Sequence, residues 1–308
     1  MIATVTLNTS VDRRYNVSEI KKNTVQRTND YQATAGGKGI NVSRVIKLLD
    51  QELLAMGFIG GFSGNFIFNE LEKSNIKSDF TRIKAATRTC LNIIDENNDS
   101  IEILENGPKI TEAEKRRFLD NFESKIKEFE VITISGSLPA GLENDFYQKI
   151  IQIAKMKNKA VILDTSGKAL IAGLKAGPDI IKPNKNEIEA LIGSSIDNEK
   201  DFLKAGKKIQ SMGAKDIALT LGENGMYYLT EDILYKVEIP KVDTANVTGS
   251  GDSVTAGLAV AITEKMNIEK MLKFANACGV ANAVDKKTGY INQKKVEKYF
   301  KKIKVSKI

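Results

Sequence analysis

The 308-residue chain contains no histidine and no tryptophan, only two cysteines (Cys90 and Cys278), five prolines and 6% aromatic residues. Without histidine, Ser-His-Asp and Cys-His nucleophile systems and histidine-ligated zinc are excluded. Any general base must then be Asp, Glu, Lys, Tyr or Cys. The two cysteines offer no paired metal spacing and no disulfide framework. No run of 18 apolar residues occurs, and Met1–Leu7 is followed at once by polar residues. Neither a membrane span nor a secretory leader is expected, so the reading is a cytoplasmic protein.

What is present is 42% hydrophobic content, enough for one well-buried α/β domain over residues 1–308. The formal charge is +7, yet seven lysines and one glutamate between Lys294 and Ile308 account for +6 of it. A lysine-rich terminal helix face is ordinarily solvated. No basic stripe interleaved with aromatics supports a nucleic-acid platform, so neither nucleic acid nor membrane is expected as a partner.

Short β-type runs recur at Ile2–Leu7, Leu53–Phe58, Val131–Ile134, Ala160–Leu163, Asp179–Lys182 and Asp216–Thr220. Helical periodicity follows most of them, at Asn41–Leu49, Phe66–Lys73, Asp145–Lys155, Asn186–Leu191 and Phe202–Met212. This alternation predicts a mostly parallel sheet with helices on both faces. Two segments break it. Arg13–Ala33 is polar, and Cys90–Ile94 and Ser100–Leu104 flank the turn-like Asp95-Glu96-Asn97-Asn98-Asp99. Together, segments of about 12–34 and 87–105 are expected to form a small β lid; the plain alternative is an edge hairpin of the main sheet.

Three stretches carry chemistry. Asn246-Val247-Thr248-Gly249-Ser250-Gly251-Asp252 precedes an apolar helix expected from about Asp252 to Thr263. Its glycines let successive N–H groups converge on an anion, with the helix dipole behind them. Asp252 is placed to accept a proton, although an aspartate here could equally be a helix N-cap. Ala35-Gly36-Gly37-Lys38-Gly39-Ile40-Asn41 opens another helix, offering close backbone approach, a cation and a two-sided amide. It lacks the Walker P-loop spacing. Lys182-Pro183-Asn184-Lys185-Asn186-Glu187 follows a strand, and Asn184 and Glu187 could order the waters of a Mg²⁺ or close a capping box.

In this order the three stretches resemble the ribokinase-like sugar kinases of the phosphofructokinase B family, over essentially the whole chain. Members carry A-G-G-K-G-x-N near the N-terminus and D-T-x-G-A-G-D in the last third; here Asn246 and Val247 stand in place of Asp-Thr, and Ser250 in place of Ala. The resemblance implies a three-layer fold with a small β-sheet lid, ATP and Mg²⁺ as cofactors, and a sugar phosphate as acceptor. Asp252 would be the catalytic base, with Gly249, Ser250 and Gly251 amides as the anion hole. Asn184 and Glu187 would arrange Mg²⁺ through water; Lys182, Lys185, Thr220, Gly222 and Gly225 would hold ATP, with Asn276 and Gly279 near the adenine.

On the acceptor side, Asn8-Thr9-Ser10-Val11-Asp12 resembles the family's N-P-x-x-D, with Thr9 replacing proline, and implies that Asp12 binds sugar hydroxyls. Gly37, Asn41 and Ser137 would also contact the sugar. Thr87-Arg88 resembles the phosphosugar branch, where an arginine grips the existing phosphate, so Arg88, Lys38 and Arg27 could form a cationic cage. Within that branch the chain looks most like the tagatose-6-phosphate kinases and next like the 1-phosphofructokinases. The supporting stretches are Gly57–Gly61, Thr87–Cys90, Ile103–Pro108 and Thr288–Asn292. A homodimer through the lid is implied by the same resemblance. The competing classes are a non-catalytic sugar-phosphate sensor, a nucleoside kinase, and a nucleic-acid binder acting through the basic tail.

Overall fold

A computed structural model describes residues 1–97 and 99–308; Asn98, in the turn expected between the two lid runs, lies outside the described residues. The first half runs β1 (Ile2–Thr6), β2 (Ser10–Asn16), β3 (Tyr31–Gly36), α1 (Lys38–Leu48), β4 (Leu53–Gly60), α2 (Gly61–Lys73), β5 (Ser78–Ile83), β6 (Arg88–Ile94), β7 (Ser100–Leu104) and α3 (Glu112–Lys125). It continues through β8 (Val131–Ser135), α4 (Phe146–Met156), β9 (Ala160–Asp164), α5 (Gly167–Leu174), β10 (Ile180–Ile181), α6 (Lys185–Ile192) and α7 (Glu199–Ser211). The last third holds β11 (Asp216–Thr220), β12 (Met226–Leu229), β13 (Leu234–Glu238), α8 (Ser250–Thr263), α9 (Ile268–Ala283), α10 (Gln293–Phe300) and β14 (Lys304–Lys307).

The period of two along each strand assigns side chains to two layers. Ile2, Val131, Ile162 and Ala218 point into one apolar cluster with residues of α1, α8, α9 and α10. Their neighbours Ala3, Ile132, Val161 and Ile217 point into the other, with Phe118, Phe146, Tyr147, Ile188 and Phe202 of α3, α4, α6 and α7. Strands covered on both faces need no polar alternation, which is why they read as continuous apolar runs. The ten strands are ordered β14-β13-β12-β11-β10-β9-β8-β1-β4-β5, parallel from β11 to β5 and antiparallel from β11 to β14. The expected three-layer α/β architecture is therefore present.

The lid segments form a separate four-stranded sheet, β3-β2-β6-β7, and not an edge hairpin of the main one. Its central pair is parallel, Ser10 opposite Arg88 and Asn16 opposite Ile94. Three local expectations change. The strand expected over Asp179–Lys182 shortens to Ile180–Ile181, because Pro183 cannot donate to a ladder and the chain turns there into α6. The helix carrying Asp252 begins at Ser250. β5 and the β12–β14 meander had not been anticipated, their short runs being indistinguishable from loops by periodicity. The basic tail is divided between the solvated face of α10 and β14, where exposed Lys304 and Lys307 sit on the sheet's edge and discourage further strand pairing.

Helix α8 is packed onto α9 at Gly257, where a β-carbon would stand 2.6 Å from Ala275 Cα and 3.2 Å from Cys278 Sγ. Gly257→Ala must push the two helices apart. We expect a loss of about 1–3 kcal/mol by overpacking, read as a lower urea midpoint with the fold retained by circular dichroism.

Candidate active site

The carboxyl ends of β1, β8, β9 and β10 face the N-termini of α1 and α8, the edge at which open α/β sheets collect ligands. At the end of β9 the carboxylate of Asp164 is fully buried. Lys38 Nζ lies 2.9 Å from its Oδ1, and Lys182 Nζ lies 3.0 Å from its Oδ2. Thr255 Oγ1 lies 3.2 Å from both Asp164 Oδ2 and Gly251 O, which ties the cluster to α8. Burial alone would raise the Asp164 pKa; Lys182 and Lys38 outweigh it and hold the group below its ordinary value. Asp164 in turn raises the pKa of Lys38 against its own burial.

Asp252 is the third residue of α8 and is not its N-cap; that place belongs to Gly249, in the left-handed region at φ 83°. Its carboxylate instead accepts from Asn41 Nδ2 at 2.8 Å. Burial, and then the negative charge of Asp164, raise its pKa to about 6 despite Lys38, Asn41 and Lys182. A carboxylate so placed is ionised at neutral pH yet basic enough to accept a proton.

The turn before α8 departs from expectation in one detail. Ser250 N–H is engaged with Val247 O at 3.2 Å. The N–H groups of Gly249, Gly251 and Asp252 have no backbone partner among the described residues, which leaves these three donors free to meet an anion. Gly249 packs so closely that a β-carbon would meet Gly289 N at 2.7 Å. Asn282, fully buried on α9, fixes the turn: Nδ2 donates to Thr248 O and Ser250 Oγ at 3.0 and 3.1 Å, while Oδ1 accepts from Tyr290 N–H.

On the acceptor side, Asp12 lies within β2 against Gly36 and accepts from Ser10 Oγ at 2.6 Å. Burial raises its pKa, opposed by the Ser10 hydroxyl, Arg88 and Arg44. Arg88 bridges the lid and the floor, donating to Glu105 O at 2.9 Å and Asn8 O at 3.2 Å, and its Nε is buried without a partner. Asn8 Nδ2 donates to Ser137 Oγ at 3.1 Å, while Asn8 Oδ1 is buried and unpartnered. The structure thus brings Asp12, Ser137, Arg88 and Asn8 to one region, with Gly37 opening α1 beside Thr6 and Thr9. It does not assemble the expected three-cation cage. Lys38 is committed to Asp164, and Arg27 is exposed in the β2–β3 loop with no ion-pair or hydrogen-bond partner among the described residues.

An open cleft of about 350 Å³ is lined by Asn184, Lys185, Asp197, Thr220, Gly222 and Tyr227, among others. Asn184 and Glu187 do form the capping box of α6, with both bonds at 2.9 Å. Lys185 lies between Glu189 and Asp197, 3.7 Å from each. Gly225 does not line this cleft: at φ 84° it makes the turn into β12, and a β-carbon would meet Val237 O at 2.0 Å. Asn276 and Gly279 do not line it either. Asn276 donates to Leu272 O and Met226 Sδ, and Gly279 admits Val254 of α8.

No group of three acidic or sulfur ligands that could hold a metal occurs among the described residues. Glu187 has one oxygen spent on the cap and one free, which suits a largely hydrated Mg²⁺ arriving with nucleotide phosphates. Asp164, Arg44, Thr255 and Asn282 were not identified from sequence. Asp164 had a readable signal, a carboxylate closing an apolar strand at the ligand edge.

Removing the Asp164 carboxylate leaves Lys182, which is 5% exposed, without its counter-charge. Asp164→Ala is expected to destabilise by about 3–5 kcal/mol, the range for breaking a buried ion pair on one side, measured by urea unfolding.

The family model for pfkB carbohydrate kinases matches residues 4–295. Among solved structures, a Staphylococcus aureus protein provisionally described as a phosphofructokinase is 33% identical with TM-score 0.87, over 100% of this chain and 99% of its own. Escherichia coli phosphofructokinase-2 in complex with fructose 6-phosphate is 27% identical with TM-score 0.89, over 98% of each chain. A Thermotoga maritima protein provisionally described as a 1-phosphofructokinase is 25% identical with TM-score 0.90, over 100% of this chain and 99% of its own. With the family model matched over nearly the whole chain and a 33% identical structure covered end to end, the chain belongs to the pfkB family of carbohydrate kinases.

Proposed function

We propose that this sugar-phosphate kinase uses ATP to phosphorylate a ketohexose phosphate to its 1,6-bisphosphate, with tagatose 6-phosphate as the preferred acceptor. The observation that carries the reading is Arg88, whose buried, unpartnered Nε lies between Asn8 and the lid. A guanidinium with unused donors in that position suits a substrate phosphate held bidentately. Fructose 1-phosphate is the alternative acceptor, favoured by the likeness to the Thermotoga maritima protein. Fructose 6-phosphate enters the comparison because the Escherichia coli relative is described in complex with it.

In this reading Asp12 and Ser137 orient the sugar, and the free primary hydroxyl lies against Asp252. Asp252 takes the hydroxyl proton as the oxygen attacks the γ-phosphate in line. The Gly249, Gly251 and Asp252 N–H groups receive the charge on the transferring group, with Lys182 beside Gly251. Asn184, Lys185, Thr220 and Gly222 line the nucleotide side, and Glu187, with one carboxylate oxygen outside the cap, would order the waters of the metal that accompanies the phosphates. Mg²⁺, when bound there, would supply charge neutralisation between the phosphates. Closure of the lid would exclude water from the acceptor.

The lid face opposite to Asp12 carries Tyr31, Ile101 and Ile103, all exposed. Such an apolar face supports a homodimer through the lid; Escherichia coli phosphofructokinase-2 is itself described in a tetrameric inhibited form. No helix among the described residues is long and apolar enough to cross a membrane, which fits the cytoplasmic assignment we propose.

A coupled ADP-release assay should show turnover with tagatose 6-phosphate above fructose 6-phosphate and fructose 1-phosphate, and little with unphosphorylated sugars. Turnover of unphosphorylated sugars alone would sink the role given to Arg88. Asp252→Asn should lower kcat by at least about 10²-fold with ATP binding retained. Because the Asp252 pKa is raised to about 6, the base is protonated below that pH. kcat/KM should be flat at neutral pH and fall about tenfold per unit on the acid side.

A further inference from the structure

Among the described residues, the side chain of Arg44, on α1, is hydrogen-bonded to no carboxylate. It donates to three neutral oxygens: Asn41 Oδ1 at 3.0 Å, Thr288 O at 3.0 Å and Ala35 O at 2.7 Å. Arg44 and Asn41 are three residues apart on one helix face, and Asn41 Nδ2 continues the chain to Asp252 Oδ2. An arginine has donors only, whereas an asparagine amide can present either end to a carboxyl group. We propose that Arg44 is a positioning residue that fixes the polarity of the Asn41 amide, so that Asn41 always donates to Asp252 and favours its proton-accepting form. Freed of Arg44, the amide could turn its oxygen to Asp252, a contact that is favourable only when Asp252 is protonated.

The other two contacts give this lock its reach. Ala35 O belongs to the end of lid strand β3, and Thr288 lies in the segment whose Gly289 packs against Gly249. A single guanidinium therefore joins the lid root, the amide that faces the base, and the segment that supports the anion cup. The groups facing Asp252 are Lys38, Asn41 and Arg44 from α1, Asp164 from β9 and Lys182 from the end of β10. Arg44 also acts on Asp252 through space by its charge, and the test must separate that effect from the amide.

The inference rests on Asp252 being the base, and the two can fail separately. The experiment is the pH dependence of kcat/KM for Asn41→Leu, Arg44→Met, Arg44→Lys and the double variant Asn41→Leu/Arg44→Met. Loss of the amide donation in Asn41→Leu should raise the acid limb by about one unit, so that kcat/KM relative to the same variant's value at pH 8 falls roughly fivefold further near pH 6 than it does in the parent enzyme. Arg44→Met should raise the limb at least as far. The double variant should show less than the sum of the two shifts, because with the amide gone only the through-space charge remains to be lost. Arg44→Lys, which keeps the cation, should recover part of the shift. Strictly additive shifts, or an equal loss at every pH, would overturn the proposal. If Arg44→Met does not fold, Asn41→Leu alone decides: an unmoved acid limb while Asp252→Asn remains inactive removes the positioning role and leaves the base intact. Full turnover in Asp252→Asn would instead remove the base.

Discussion

The site depends on one buried carboxylate held between two ammonium groups. Asp164 closes β9 with no exposure to solvent, and Lys38 and Lys182 reach it from α1 and from the end of β10. Such a cluster is tolerated inside a protein only because its members compensate one another. It also fixes the chemistry around it. The lysine that opens α1 turns its ammonium to Asp164 while its side chain stays partly exposed, Lys182 is set beside the turn that precedes Asp252, and the negative field of Asp164 makes Asp252 a stronger base. Structure and reactivity at this site have the same electrostatic origin.

Around that cluster, polar contacts link segments far apart in the sequence. Asn41 meets Asp252 across 211 residues and Asn8 meets Ser137 across 129. Asn282 holds the glycine turn from the last turn of α9. Low dielectric makes each of these bonds costly to lose, which rigidifies the geometry at the phosphate end. By contrast the lid carries exposed apolar side chains and a long polar loop between β2 and β3.

Much of this was legible in the residues because the determining signals were local. Doubly buried parallel strands appear as apolar runs, and glycines before a helix mark a place where backbone must meet an anion. Asp252, Asn41 and Arg88 could be singled out because they stand in such stretches. Arg44 and Asn282 could not, since each acts through a partner brought near only by folding; Asp164 carried a local signal at the end of an apolar strand, but its place between two lysines did not show. Ser250 shows the same limit on a smaller scale: within a correctly located turn, one N–H is spent on Val247 and the next is free. Gly279 lies where α8 and α9 close on each other and Asn276 faces Met226 of β12, and nothing linear distinguishes a packing position from a ligand-facing one. The lid sheet and its strands β6 and β7 were legible, but β2, β3 and the order β3-β2-β6-β7 were not, because strand partners are chosen by topology and not by composition.

Two of the lid's roots, those entering β2 and β6, are tied to the same place. Thr9, leading into β2, donates through Oγ1 to Phe58 O, and Thr87, leading into β6, exchanges bonds with Gly60 through its N–H and Oγ1. Phe58 and Gly60 are both at the end of β4. Two strands that leave adjacent moorings and run parallel behave like a door hung from one post. Swinging about that post is cheap, whereas sliding or twisting would break the moorings. The lid is thereby left one soft coordinate, and the distance from Asp12 on the door to Asp252 on the frame becomes its natural measure.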